Sequence, residues 1–194
     1  MKKVKNSLLF GLLGVGLLLS SCTGERSEER PSANLFCPGP ELVADSVYRS
    51  YYDNDQLFAE ILYKDGVREG LGVFYHKNGE VKSERHYCGG ELHGLHRTYY
   101  EDGSLSGMGF YWEGNMTGLW YYYWPNGELR ERITFHNNLE HGPFQEYFED
   151  GTLKASGMYL YGDFEHGYLT IYNEDGSLKR RMLCNKGICQ TIST

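Results

Sequence analysis

Between Val81 and Tyr87 apolar and polar positions alternate. Val81 and Tyr87 share one face, while Lys82, Glu84 and His86 take the other. A period of two is a strand's period, not a helix's. Segments of this kind, about 8 and 6 residues long and rich in Tyr, Phe, Leu and Val, fill the chain from about residue 51 onward, in strand lengths and strand residues. No helical pattern stands out after residue 20.

The turns between these segments are evenly spaced. Asn-Gly or Asp-Gly occurs at Asn78-Gly79, Asp102-Gly103, Asn126-Gly127, Asp150-Gly151 and Asp175-Gly176, at intervals of 24, 24, 24 and 25 residues. Asn54-Asp55 is a degenerate first copy. A tyrosine stands four residues before each mark, from Tyr51 to Tyr172, and an aliphatic residue two after it, from Leu57 to Leu178. Eight after it stand Tyr63, Tyr87, Tyr111, Phe135, Tyr159 and Cys184; eleven after it stand Gly66, Gly90, Gly114, Asn138, Gly162 and Gly187. Another glycine recurs at Gly70, Gly94, Gly118, Gly142 and Gly167. Asn-Gly and Asp-Gly between apolar segments signal hairpins, because such turns need positive φ. Asparagine in a row of glycines points to the same backbone requirement. The pattern predicts an all-β fold: an elongated, single-layer antiparallel meander of six tandem β-hairpin repeats with about eleven or twelve strands. The repeats span 51–74, 75–98, 99–122, 123–146, 147–171 and 172–191. A unit this short cannot bury a core alone, so neighbours must stack. The recurring in-strand glycines are expected to let a neighbouring ring lie over bare backbone.

The amino-terminal end follows a different pattern. Lys2, Lys3 and Lys5 precede an apolar run from Leu8 to Leu19, shorter than a bilayer span. Leu19-Ser20-Ser21-Cys22 resembles the bacterial lipobox. The resemblance implies a lipoprotein signal peptide over 1–21, cleavage before Cys22, and lipid on Cys22, with a flexible tether over 22–50. The membrane is then a partner through the anchor. Thr23 after the cysteine favours the outer membrane within the cell envelope. Cleavage removes three lysines and moves the net charge from −7 to about −10, with 16 basic against 26 acidic residues. Such an acidic chain excludes nucleic acid as an expected partner.

The segment from Tyr99-Tyr100-Glu101-Asp102-Gly103 to Gly114-Asn115-Met116-Thr117-Gly118 resembles the bacterial variant of the MORN repeat, over about residues 51 to 190. The resemblance implies a twisted antiparallel sheet that serves protein–protein contact and, in some members, membrane association. Many bacterial proteins of this variant carry an antitoxin label, which does not sit well with a lipobox. The leading expectation is a non-catalytic, membrane-anchored interaction or scaffold module in the cell envelope, with an unidentified protein partner. The alternatives are an antitoxin-like or immunity-like protein, and a glycan- or lipid-binding lipoprotein.

No catalytic residues and no cofactor are expected, since no GxSxG, HExxH, P-loop or GxGxxG pattern is present. No metal site is expected either. His93, His141 and His166 occupy equivalent repeat positions; such positions in adjacent repeats lie two strands or roughly 9 to 10 Å apart, too far for the three to share one ion. The turn acids, such as Asp102, Asp150 and Asp175, suit Asx caps. Trp112, Trp120, Tyr122 and Trp124 form the candidate binding platform, with Trp112 opposite in face to Tyr111, and Trp120, Tyr122 and Trp124 on one face by alternation. Exported chains permit disulfides. Cys184 and Cys189 flank the last hairpin turn and are the expected pair; Cys37 with Cys88 follows from parity alone.

Overall fold

The computed structural model describes residues 44–194. The expected leader, Cys22, most of the tether and Cys37 lie outside them. The described residues contain thirteen strands and no helix: β1 (Ser46–Tyr51), β2 (Leu57–Lys64), β3 (Val67–Tyr75), β4 (Val81–Cys88), β5 (Glu91–Tyr99), β6 (Leu105–Trp112), β7 (Asn115–Tyr123), β8 (Leu129–His136), β9 (Leu139–Tyr147), β10 (Leu153–Tyr159), β11 (Gly167–Tyr172), β12 (Leu178–Asn185) and β13 (Ile188–Ser193). They form one open antiparallel sheet in strict chain order. The count exceeds the expected eleven or twelve because a strand also precedes the first turn. Ser46–Ser50, expected in the tether, pair with Ala59–Tyr63 of β2.

Two kinds of turn alternate, and each is tied to its neighbour one repeat away. At the Asn/Asp-Gly turns the Asx oxygen accepts a backbone N–H two residues on, as from Glu80 to Asn78 (3.0 Å) and from Ser104 to Asp102 (2.9 Å). These bonds hold the Asp102, Asp150 and Asp175 carboxyls below their usual range, the Ser104 hydroxyl, the Thr152 amide and the Ser177 hydroxyl being the largest causes in turn. In the first four repeats the residue after the repeat tyrosine then reaches across to the next repeat. Tyr52 Oη donates to Tyr75 O, Tyr100 Oη to Tyr123 O and Trp124 Nε1 to Tyr147 O, at 2.7, 2.7 and 3.3 Å. His76 Nε2 lies 2.9 Å from Tyr99 O. On the opposite rim, backbone N–H groups of Gly90, Gly114 and Gly162 donate to Arg68, Leu92 and Glu140 carbonyls at 2.8 to 3.0 Å. Asn138 sits at φ +65° in this row. Its side chain accepts from Met116 N and donates to Asn115 Oδ1, so it adds bonds that glycine could not make.

One face of the sheet is filled by its own side chains. Trp120, Ile133, Phe144, Ala155, Leu169 and Cys184 form a buried run, with Tyr111, Tyr122, Phe135 and Tyr159 packed against it. A smaller cluster centres on Ala59, Ile61 and Tyr87. Large rings are seated on strand glycines. A Cβ on Gly109 would stand 2.0 Å from the Trp120 indole, and one on Gly157 would stand 2.7 Å from Phe144. These are not the recurring glycines. Gly118 and Gly167, members of the recurring set, have nothing within 4 Å of a built Cβ and lie at φ +68° and +75°. That expectation is corrected: the recurring glycine serves the left-handed backbone where the ladder shifts register, and other glycines make room for the rings.

Candidate functional site

The four expected platform residues do not share a surface. Trp120 is 4% exposed and packs edge-on against Tyr111 and Phe135. Tyr122 lies beside it on the same packed face, and burial raises its phenol to about 12. Trp124 is a rim residue: its indole N–H makes the repeat-to-repeat bond described above, and Arg130 lies 5.7 Å from its ring. It borders a recess of about 420 Å³ with Phe148 and three acids, Glu149, Asp150 and Glu174. Only Trp112 is well exposed, at 46%, against His93 on the opposite face. The common platform is therefore withdrawn for Trp120, Tyr122 and Trp124. Alternation correctly puts Trp120 and Tyr122 on one face, but that is the face which fills itself.

Titratable groups on the packed face are perturbed by burial. His96 lies between Tyr111 and Trp120, at 5.5 and 5.9 Å between ring centres. Burial, with Arg85 beside it, holds its imidazole down at about 4. Glu131 faces Glu146 directly across β8 and β9. Burial, and then the Glu146 charge, pushes the Glu131 carboxyl up. Glu140 is raised by burial and by Asp163 and Glu165. Among the described residues no group of three or more His, Cys, Asp or Glu side chains is placed to hold a metal ion.

The other face is open. Leu119 and Thr134 pair across β7 and β8, Pro143 and Met158 across β9 and β10, and Tyr168 and Leu183 across β11 and β12. Leu119, Met158, Tyr168 and Leu183 are each exposed, and Trp112 lies on the same side. Beside this apolar stripe runs a polar one. Arg49 pairs with Glu60, and Arg97 with Glu84 at 3.1 Å. The hydroxyls of Tyr75 and Tyr99 donate to the same two carboxylates. The repeat tyrosines thus belong to the open face, while the aromatics eight residues after each turn mark belong to the packed one.

The C-terminal hairpin carries a disulfide between Cys184 and Cys189, which stand directly opposite in β12 and β13 with Cα atoms 4.0 Å apart. Cys88 is also disulfide-bonded. The expectation that Cys37 is its partner falls outside the described residues.

Comparison with known proteins fits these repeats. The family profile described as MORN repeat variant matches residues 44–65, 68–88, 92–113, 116–137 and 140–161. The chain belongs to the MORN repeat variant family. The five matched MORN repeats keep the 24-residue period read from the turns, but each begins ahead of the repeat tyrosine, the first just before β1 and the other four within the strand that precedes an Asn/Asp-Gly turn. MORN repeats are generally non-catalytic and serve protein or membrane interactions. Among solved structures, the crystal structure of accessory secretory protein 1,2 and 3 in Streptococcus pneumoniae is 16% identical, with a TM-score of 0.34. The match covers 62% of this chain and 22% of that one, so the MORN chain spans about a fifth of its length. No curated protein matches the chain.

Proposed function

We propose that this MORN-repeat protein is a lipid-anchored component of the bacterial cell envelope, held through Cys22, whose sheet is a non-catalytic protein-interaction module. The observation that carries the interaction role is the division of the sheet into two unlike faces. The packed face spends its rings on its own backbone. The open face presents Trp112, Leu119, Met158, Tyr168 and Leu183 to solvent in a stripe. Apolar side chains aligned on a regular surface favour partner burial over scattered exposure. The amino-terminal pattern supports the anchor, and Thr23 supports the outer membrane.

Photo-crosslinking in intact cells tests the module. A benzophenone side chain at Leu119 or Tyr168 is expected to capture one defined protein, and Leu119→Glu placed beside the Tyr168 probe is expected to abolish the capture. Equal capture from a probe at Lys179, away from the stripe, or capture unaffected by Leu119→Glu, would remove the open-face reading. The anchor is tested separately: Cys22→Ser should leave the detergent phase in Triton X-114 partitioning, and a variant that partitions like wild type would refute lipidation at Cys22.

A further inference from the structure

The polar stripe of the open face changes sign along the array. One register position in the first strand of successive repeats is filled by Glu60, Glu84, Met108, Arg132, Ser156 and Arg181. In the amino-terminal half its acids are matched by Arg49 and Arg97. In the carboxy-terminal half no acid occupies the stripe. Arg132, Gln145, Ser156, Thr170 and Arg181 stand side by side from β8 to β12, each paired in register with the next. Neither arginine forms an ion pair among the described residues. Arg181 instead lies over the Tyr168 ring, 4.5 Å from its centre.

Four of these strands, β8 to β11, hold a groove of about 370 Å³, walled by Arg132, Gln145, Ser156, Thr170 and Tyr168, and Arg181 of β12 flanks it over the Tyr168 ring. It has a structural cause. The one extra residue between Gly162 and Gly167 disturbs the β10–β11 pairing, which keeps only two in-register pairs, Ala155 with Ile171 and Ser156 with Thr170. His166, at the end of this irregular stretch, also lines the groove, and its Nδ1 is buried without a hydrogen-bond partner.

We propose that this groove binds an acidic oligosaccharide lying across β8 to β12. Its acidic groups rest on Arg132 and Arg181, about 19 Å apart by strand spacing. Its hydroxyls meet Gln145, Ser156 and Thr170, whose amide and hydroxyl groups both donate and accept. A guanidinium offers paired donors suited to carboxylate or sulfate, and the Tyr168 ring offers an apolar surface with a polar tip for a sugar ring. An extended acidic peptide fits less well. The main-chain N–H and C=O groups of a sheet point along the sheet plane toward neighbouring strands, so a peptide lying on this face would find few main-chain partners. The site lies apart from Trp112 and Leu119 but shares Met158 and Tyr168 with the apolar stripe, so a saccharide seated there would overlap the carboxy-terminal end of the protein-binding surface.

The test uses full-length protein in detergent and isothermal titration with four probes: an oligogalacturonate hexamer, a heparin hexasaccharide, neutral maltohexaose and a ten-residue polyglutamate. At least one acidic hexasaccharide is expected to bind tenfold or more tighter than maltohexaose, and whichever of the two binds better identifies carboxylate or sulfate as the preferred group. Arg132→Gln and Arg181→Gln should each weaken that binding at least tenfold, while Arg49→Gln should change it less than twofold. Thermal melts confirm that the variants are folded. The binding should also fall with added salt. Acidic sugars that bind no tighter than maltohexaose, or binding that survives the Arg132→Gln, Arg181→Gln double variant, would overturn the site. Polyglutamate binding as tightly as the sugars would overturn the saccharide assignment in favour of an acidic protein segment.

Discussion

Gly109 and Gly118 sit nine residues apart and are glycine for unrelated reasons. At Gly109 the backbone is unremarkable, but the Trp120 indole occupies the space of a side chain. At Gly118 the space is empty and φ is +68°. Gly109→Ala should therefore cost about 3 kcal/mol as an overpacked core, and Gly118→Ala about 1 kcal/mol as a strained left-handed residue. Urea unfolding of the two variants measures the difference, and equal losses would contradict the packing of Trp120. His96 yields a pH prediction. The unfolded chain binds its proton below about 6.5, the folded chain only below about 4. Stability is thus lost as pH falls from 6.5 toward 4, and the loss levels off below that. The raised carboxyls of Glu131 and Glu140 act with the opposite sign. The informative quantity is therefore the difference between wild type and His96→Gln. The variant should lack a loss of up to about 3 kcal/mol over this window, and parallel pH profiles would show that His96 is not buried neutral. At this scale the sequence reveals the recurring glycines, because they keep the period. It does not reveal Gly109 or the burial of Trp120, because a ring's seat depends on a rotamer and on the register of the next strand.

Each hairpin is closed by a turn, and the first four are stapled to the next repeat by a side chain. Trp124 takes the place that Tyr52, His76 and Tyr100 take in earlier repeats. Its value is one repeat-to-repeat hydrogen bond plus ring packing. Trp124→Phe should cost about 1 kcal/mol, against about 3 to 5 kcal/mol for Trp120→Ala, as read by thermal or urea unfolding. A larger loss at Trp124 than at Trp120 would reverse the assignment of core and rim. Strands and turns were the most legible elements, since Asn-Gly, Asp-Gly and the two-residue alternation act locally. The role of Trp124 was legible in principle. It occupies the same repeat position as Tyr52, His76 and Tyr100, all of which carry a ring and a polar tip, while Trp120 and Trp112 nearby occupy different ones. The charge reversal from Glu60 and Glu84 to Arg132 and Arg181 was likewise visible once the repeats were aligned, yet its meaning required knowing that these residues share the open face.

Across the whole sheet every strand pairs only with strands next to it in the chain. Stability in such an array is approximately a sum of repeat and interface contributions. A stop after Asn173, which removes β12, β13 and the Cys184–Cys189 disulfide, should leave β1 to β11 folded with a melting temperature lower by several degrees. Retention of the β-sheet far-UV signal tests this, and complete unfolding would show that the array is one cooperative unit sealed by its last hairpin. The meander order was legible because short turns at constant spacing leave no room for crossovers. The thirteenth strand was not, because Ser46–Ser50 lack the turn marks that define the repeats. Chain order has one more consequence, for how the protein is made. No strand waits for a distant segment, so each hairpin has its only upstream partner already in place when it emerges. A chain released from its amino end can add strands one at a time onto a finished edge, as the export proposed above would require of a polypeptide threaded unfolded through a pore.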